Sequence, residues 1–203
     1  MSTVGKRRPG RPPQFDRQCA LDALLMLFWR KGYDAATQEE MLAATGLSSS
    51  TLYRSFGTKA DIMHTVLQTY VDSACAMLIP LERGRAGAAD VHAFLDQVEE
   101  LIRGPMGTAG CLAVETMRDP INRDPRIKSL TDGHLRRMRR GLRGALRRAV
   151  AAGELAQATP ATPARLADAL QAGVLGALAR ARSGDAEHAL ALLRGVRALL
   201  PDR

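Results

Sequence analysis

Between Thr37 and Lys59 the chain gathers short hydrogen-bonding side chains and two long cations. Ser48, Ser49, Ser50, Thr51 and Tyr53 carry hydroxyls, and Arg54 and Lys59 carry positive charge. Groups of this kind at the start of one helix can exchange hydrogen bonds with base edges, because small side chains let the backbone approach closely. The free amides of the same helix start suit a phosphate. Spacing alone leaves a second reading open, in which the serines cap and solubilise the helix and Tyr53 packs.

Other chemistries find no support. No nucleophile–base pair and no cofactor fingerprint is present, so neither catalysis nor a cofactor is expected. His64, His92, His134 and His188 stand apart, without the paired spacing of a metal site. Cys19, Cys75 and Cys111 are too few and too scattered for a disulfide framework and fit a reducing compartment. The basic start of the chain runs into Pro and Gly, unlike a signal peptide, and the longest charge-free apolar run, 169–179, is too short to span a bilayer. A soluble cytoplasmic protein is expected. The net charge of +8 suggests an anionic partner, nucleic acid or an acidic membrane surface, although solubility alone also explains it.

The elements that would position these groups are all helical. Apolar residues recur at helical spacing, no segment alternates, and aromatics make up only 4%. Asp16 opens a helix carrying Leu21, Leu24, Leu25 and Phe28, closed by Gly32. Thr37 and Glu40 form a capping box for a short helix with Met41 inward, and Gly46 ends it. Ser48 caps the next helix, with Leu52 and Phe56 on one face. Thr58 and Asp61 resemble a further capping box, starting a long helix expected to run to Pro80. Loops at 84–89 and 104–110 and later start signals then separate helices expected at 90–103, 111–117, 124–153, 162–182 and 185–201, the first capped by Asp90. The count is about nine helices. Two short helices joined at Thr45-Gly46-Leu47 form a helix-turn-helix, in which Gly46 supplies a left-handed turn.

The run from Thr37 to Lys59, TQEEMLAATGLSSSTLYRSFGTK, with the preceding ALLMLFWRKGY, resembles the DNA-binding domain of the tetracycline-repressor (TetR) family. The resemblance covers roughly the first third of the chain; beyond it, only helix count and order agree. It implies a basic arm at 1–13, a three-helix DNA-binding domain at 14–74 with the helix-turn-helix proper at about 37–56, and a helical effector-binding and dimerisation domain at 80–203. It implies that Thr37, Tyr53 and Lys59 hold phosphates and that Ser49, Ser50, Thr51 and Arg54 face bases, with Ser48 at the cap beside them. Ser55 stands where the family often has His or Tyr on a phosphate, and Thr45 where Ala is usual. In the arm, Arg8-Pro9-Gly10-Arg11-Pro12 is similar to an AT-hook core, so Arg7, Arg8 and Arg11 are candidates for a narrow minor groove. A solvated tail is the competing reading.

In the remainder, Phe94, Met106, Cys111, Met117 and Met138 are candidates for an effector pocket, since flexible Met side chains adapt to ligands. Core packing explains each of them singly. Cys111, after Gly110 at an expected helix start, would have a lowered thiol pKa and could sense electrophiles, or it is simply a buried apolar residue. Cys19 and Cys75 sit in helical stripes and read as packing. The last two helices carry Leu166, Leu170, Gly173 and Ala177, then Leu193, Val196 and Leu200, a stripe suited to a four-helix dimer interface or to an internal hairpin. Of nine basic residues between Arg126 and Arg148, Arg136, Arg140, Arg143 and Arg147 fall opposite the stripe of Leu135, Met138, Leu142 and Leu146, the pattern of a solvated face. Together these features point to a homodimeric, ligand-responsive repressor that binds a palindromic DNA operator through Ser48–Phe56. The alternative is a basic architectural or RNA-binding protein without an effector pocket.

Overall fold

Six polar side chains begin helices by accepting a hydrogen bond from a backbone amide two or three residues ahead: Asp16, Thr37, Ser48, Thr58, Asp124 and Asp185. Each satisfies an amide that the first helical turn leaves without a carbonyl partner. In the computed structural model, which describes residues 16–155 and 163–201, these caps launch most of an all-helical chain. The helices are α1 (Arg17–Lys31), α2 (Gln38–Thr45), α3 (Ser49–Phe56), α4 (Lys59–Ala76), α5 (Ile79–Arg83), α6 (Ala88–Arg103), α7 (Leu112–Arg118), α8 (Pro125–Ala151), α9 (Pro163–Arg182) and α10 (Ala186–Arg197). Tight 3-10 turns at Gly107–Ala109 and Pro120–Arg123 flank α7.

Ten α-helices stand among the described residues where about nine are expected, because the long helix breaks before Pro80. Proline has no N–H to give to the carbonyl four residues back, and its ring crowds that carbonyl. The chain therefore turns at Met77 and Leu78, and Pro80 takes the second position of α5 instead of closing α4. A second correction concerns Asp90. Gly87, not Asp90, precedes α6, and the Asp90 carboxylate is buried, accepting from the Ala86 amide at 3.1 Å and from Arg148 at 3.0 Å. Arg148 also donates to the Leu81 carbonyl at 2.9 Å, so one ion pair ties α5, α6 and α8 together.

Leu24 and Phe28 of α1, Met41 of α2, Leu52 and Phe56 of α3, and Ile62 and Val66 of α4 are all buried in a common core. That core runs on through Leu81, Val91, Phe94, Ile127, Leu142, Leu146, Val174 and Leu193. Helices α9 and α10 form a hairpin laid across α8 and α6. At Gly173 a Cβ would collide with the Val196 side chain, so only glycine fits there without displacement. No helix among the described residues is long and apolar enough to cross a membrane.

Candidate nucleic-acid interface and buried cavity

The geometry of α2 and α3 follows from local chemistry. In the capping box, the Thr37 hydroxyl accepts from the Glu40 amide at 3.2 Å while the Glu40 carboxylate accepts from the Thr37 amide at 3.1 Å. Gly46 ends α2 with φ 66°, ψ 12°, a left-handed conformation that side-chain-bearing residues adopt at a cost. Thr45 donates its hydroxyl back to the Met41 carbonyl at 2.8 Å, which satisfies it inside the helix. Leu52 and Phe56 anchor the inner face of α3 with 0% and 5% exposure.

The outer face of α3 carries Ser50 and Arg54 exposed, with Ser49, Thr51 and Tyr53 half-buried. Ser48 is engaged in capping: it accepts from the Thr51 amide at 3.3 Å and donates to the Thr51 hydroxyl oxygen at 2.9 Å. Among the described residues no ion-pair partner holds Arg54. Lys59 lies 4.5 Å above the Tyr33 ring and 3.5 Å from the Asp34 carbonyl, which parks it beside the turn after α1. A residue not anticipated from the sequence, Gln38, bridges the two helices. It accepts from the Tyr53 hydroxyl at 3.2 Å and donates to the Ser49 hydroxyl at 3.2 Å. A single polar side chain in the first turn of α2 leaves no periodic signal by which to find it. Arg7, Arg8 and Arg11 lie outside the described residues.

Of the five pocket candidates, the structure brings three together. Phe94, Cys111 and Met138 line a small cavity of about 30 Å3, joined by Tyr70, His134 and Leu178. Such a space holds about one water molecule. The other two are corrected. Met117 is 40% exposed, because it lies on the outer side of the two-turn α7. Met106 lines a separate open cleft with Arg30 and Arg182.

Cys111 does stand at the start of α7, but the expected lowering of its pKa is overturned. Burial pushes the thiol up, against the opposing hydrogen bond from the Tyr70 hydroxyl (3.3 Å to Sγ) and the amides of Val114 and Ala113. Desolvation of a thiolate outweighs the helix terminus here. Cys19 is exposed instead of packed, and Cys75 is half-buried. The Tyr70 ring meets Trp29 edge-on at 5.0 Å and His134 at 6.0 Å. His134 is 4% exposed, and burial, helped by Arg137, lowers its pKa so that it is held neutral.

Two contacts run from beside the cavity to the C-terminal end of α1 and the turn that follows it. Arg182, one turn beyond Leu178, donates to the carbonyls of Trp29 (2.9 Å), Ala109 (2.6 Å) and Arg30 (3.4 Å), and lies 3.4 Å from Glu115. It thereby holds the C-terminal turn of α1, where helix carbonyls lack partners and favour a cation. At the end of α7 the Asp119 carboxylate accepts from the amides of Tyr33 (3.1 Å) and Asp34 (3.4 Å).

The stripe on the last two helices is used within the chain. Leu170, Ala177, Leu193, Val196 and Leu200 are at most 8% exposed, and Gly173 packs on Val196, so these residues close the α9–α10 hairpin and cannot offer a surface to a partner. Leu166 is half-buried against the same core. The outward faces instead show Ala172, Gly176 and Ala179 on α9, Leu192 on α10 and Leu199 just beyond its end. On α8, Arg136, Arg140 and Arg147 are exposed opposite buried Met138, Leu142 and Leu146. Among the described residues no three His, Cys, Asp or Glu side chains are grouped to hold a metal ion.

The profile of bacterial regulatory proteins of the tetR family matches residues 20–66, and that of the tetracyclin repressor-like C-terminal domain matches residues 87–196. The HTH-type transcriptional repressor ComR of Escherichia coli is 41% identical over 71 residues, 35% of this chain and 34% of that protein. BdcR, a repressor of the same organism, is 32% identical over 123 residues, 58% of this chain and 61% of its own. The matched segment therefore spans less than two thirds of either relative. Among solved structures, a cysteine-substituted CifR bound to 26-base-pair operator DNA superposes with a TM-score of 0.78 at 23% identity, covering 95% of this chain and all of that one. A TetR regulatory protein from Rhodobacter sphaeroides superposes with a TM-score of 0.76 at 24% identity, covering 90% and 97%. Both structures share the fold. Since one family profile alone covers more than half of its length, the chain belongs to the TetR family of bacterial regulatory proteins.

Proposed function

We infer that this chain is a cytoplasmic, homodimeric transcriptional repressor that binds a palindromic operator through Ser48–Phe56 and is released by a small-molecule effector. The observation that carries it is the outer face of α3. Ser50, Thr51 and Arg54 stand outward on a helix whose inner face is fully packed and whose own cap is satisfied. Such a face suits the major groove, with Arg54 able to grip a guanine edge. Thr37, Tyr53 and Lys59 serve phosphates at its margin, Ser49 faces bases, and Arg7, Arg8 and Arg11 would reach an adjoining minor groove. ComR and BdcR are named repressors, and this chain is read the same way.

Residues 14–74 form the reading domain in this account, and 80–203 form the domain that dimerises and takes the effector. The dimer surface is assigned to Ala172, Gly176, Ala179, Leu192 and Leu199, since small residues allow close helix approach and both leucines are solvent-exposed. The effector enters between Phe94, Cys111, His134 and Met138. By widening that space it moves Leu178 and α7, and with them the Arg182 and Asp119 contacts on the C-terminal end of α1. The leverage is the difference in effector affinity between the two arrangements.

Footprinting on the DNA flanking the chain's own coding region tests this reading. One palindrome should be protected, its half-site centres one or more helical turns apart, and protection should fade steeply as salt rises. Diffuse protection without a preferred sequence would contradict it and favour an architectural role.

A further inference from the structure

The cavity wall carries a polar atom for which no described residue provides a partner. His134 is 4% exposed and lines the space, and its Nδ1 is buried without a hydrogen bond from any described residue. An unpaired nitrogen in such a place is unfavourable to the folded state unless something else completes it. Behind the same Tyr70 ring, Trp29 Nε1 is likewise buried and unpartnered. On the same wall the Tyr70 hydroxyl donates to Cys111 Sγ. The rest is apolar, with Ala74, Phe94, Val98, Leu101, Val174 and Leu178 among it. The wall contains no Arg, Lys, Asp or Glu.

We propose that the effector is a compact, uncharged molecule, an apolar body bearing one hydrogen-bonding oxygen that completes His134. The proposal rests on the reading of this cavity as the effector site. An anion or cation is excluded by the lining: a charge moved from water into an apolar space without a counter-charge is strongly disfavoured. His134 itself supplies none, since burial holds it neutral. A neutral imidazole nitrogen either donates or accepts according to tautomer, so a carbonyl or a hydroxyl would satisfy it. The present volume of about 30 Å3 admits little more than water, so the ligand needs Met77 and Met138 to turn aside. Both are unbranched side chains able to adapt in this way.

Three probes of similar size separate the possibilities: phenol, toluene and benzoate, titrated into the full-length protein at pH 7.5. The single tryptophan, Trp29, abuts Tyr70 and reports occupancy by fluorescence. Phenol should bind at least threefold tighter than toluene and raise the melting temperature, while benzoate should not bind. A purely apolar pocket would give the opposite order, because burying an unpaired hydroxyl opposes binding. His134→Leu should reverse the preference to toluene, and His134→Gln should retain phenol; melting curves of both variants establish folding. Toluene binding tighter than phenol to the wild type, benzoate binding tightest, a preference surviving His134→Leu, or no binding of any probe would each overturn the proposal. Operator affinity is measured separately on the phenol-loaded protein. If phenol binds in the expected order yet DNA binding is unchanged, the ligand class stands and the effector reading fails.

Discussion

Residues 37–59 are fixed by caps closed at short range: Thr37 with Glu40, Ser48 with Thr51, Thr58 with Asp61. Around His134 the polar groups come from α1, α4, α7 and α8, and two of them stay open. The difference is one of purpose. A face that reads fixed donors and acceptors on DNA gains from being preorganised, since every group it must order on binding subtracts from affinity. A site that responds to a ligand needs unmet valence and soft walls, because only a differential interaction shifts a population. From beside the cavity, Arg182 reaches the last carbonyls of α1 and Asp119 the amides of the turn that follows it, the turn that leads into α2.

The largest effect should come from damaging the preorganised face from within. Leu52→Ala, at a position with 0% exposure, should lower unfolding free energy by about 3 kcal/mol and abolish operator binding. Met138→Ala in the cavity wall should cost about 2 kcal/mol yet leave operator affinity within about threefold. Denaturant titration and a DNA-binding isotherm on each protein check both. Equal loss of DNA binding would break the distinction between the regions.

Next in size is the joint. Arg182→Met keeps the aliphatic stem but removes the hydrogen bonds to Trp29, Arg30 and Ala109 and the Glu115 pair. Operator affinity without effector should fall about tenfold, equivalent to about 1.4 kcal/mol, because the reading head is no longer held in one orientation. Unchanged affinity in gel-shift titrations would show that the head is oriented by other contacts.

Much of the reading head is legible in the sequence because its determinants lie within a few residues of each other. Asp16, Thr37, Ser48 and Thr58 are caps by residue type and spacing, and Gly46 is the turn by its φ. The links that matter between regions are not periodic. Arg182 meets Trp29 across 153 positions and Asp119 meets Tyr33 across 86, and nothing local marks either. Pro80 reads as a terminator but starts a new turn, since proline is tolerated in a first turn as well as after a last one. Leu170, Ala177 and Leu193 form an apolar stripe that looks the same whether it meets a partner or the neighbouring helix. Met117 shows the same ambiguity at short range, for two turns of helix set no firm inner face.

The pH profile should divide the regions more finely. His134 has its pKa lowered in the fold, so below its ordinary value of 6.5 the unfolded chain takes up a proton that the folded one resists. Stability should therefore decline as pH falls through about 6.5, and His134→Gln should flatten that step. At the foot of α4, Arg126 and Thr58 hold the Asp61 carboxyl at about 2, below its ordinary 3.8. Its contribution is complete above 3.8 and disappears as pH falls towards 2. The step is small, since Asp61 is exposed to solvent. Melting curves for wild type, His134→Gln and Asp61→Asn across this range check both.

The account depends most on the claim that the outer face of α3 reads sequence while its margin only holds backbone. The direct test is a binding titration of wild type, Arg54→Ala and Lys59→Ala against an operator and a panel of its single base-pair variants. Arg54→Ala should lose about 1–3 kcal/mol on the operator and lose discrimination at one base pair per half-site. Lys59→Ala should weaken every sequence by a similar factor and shallow the salt dependence by about one phosphate. Uniform weakening by Arg54→Ala, with the ranking of all variants intact, would contradict the assignment of α3 as the reading helix.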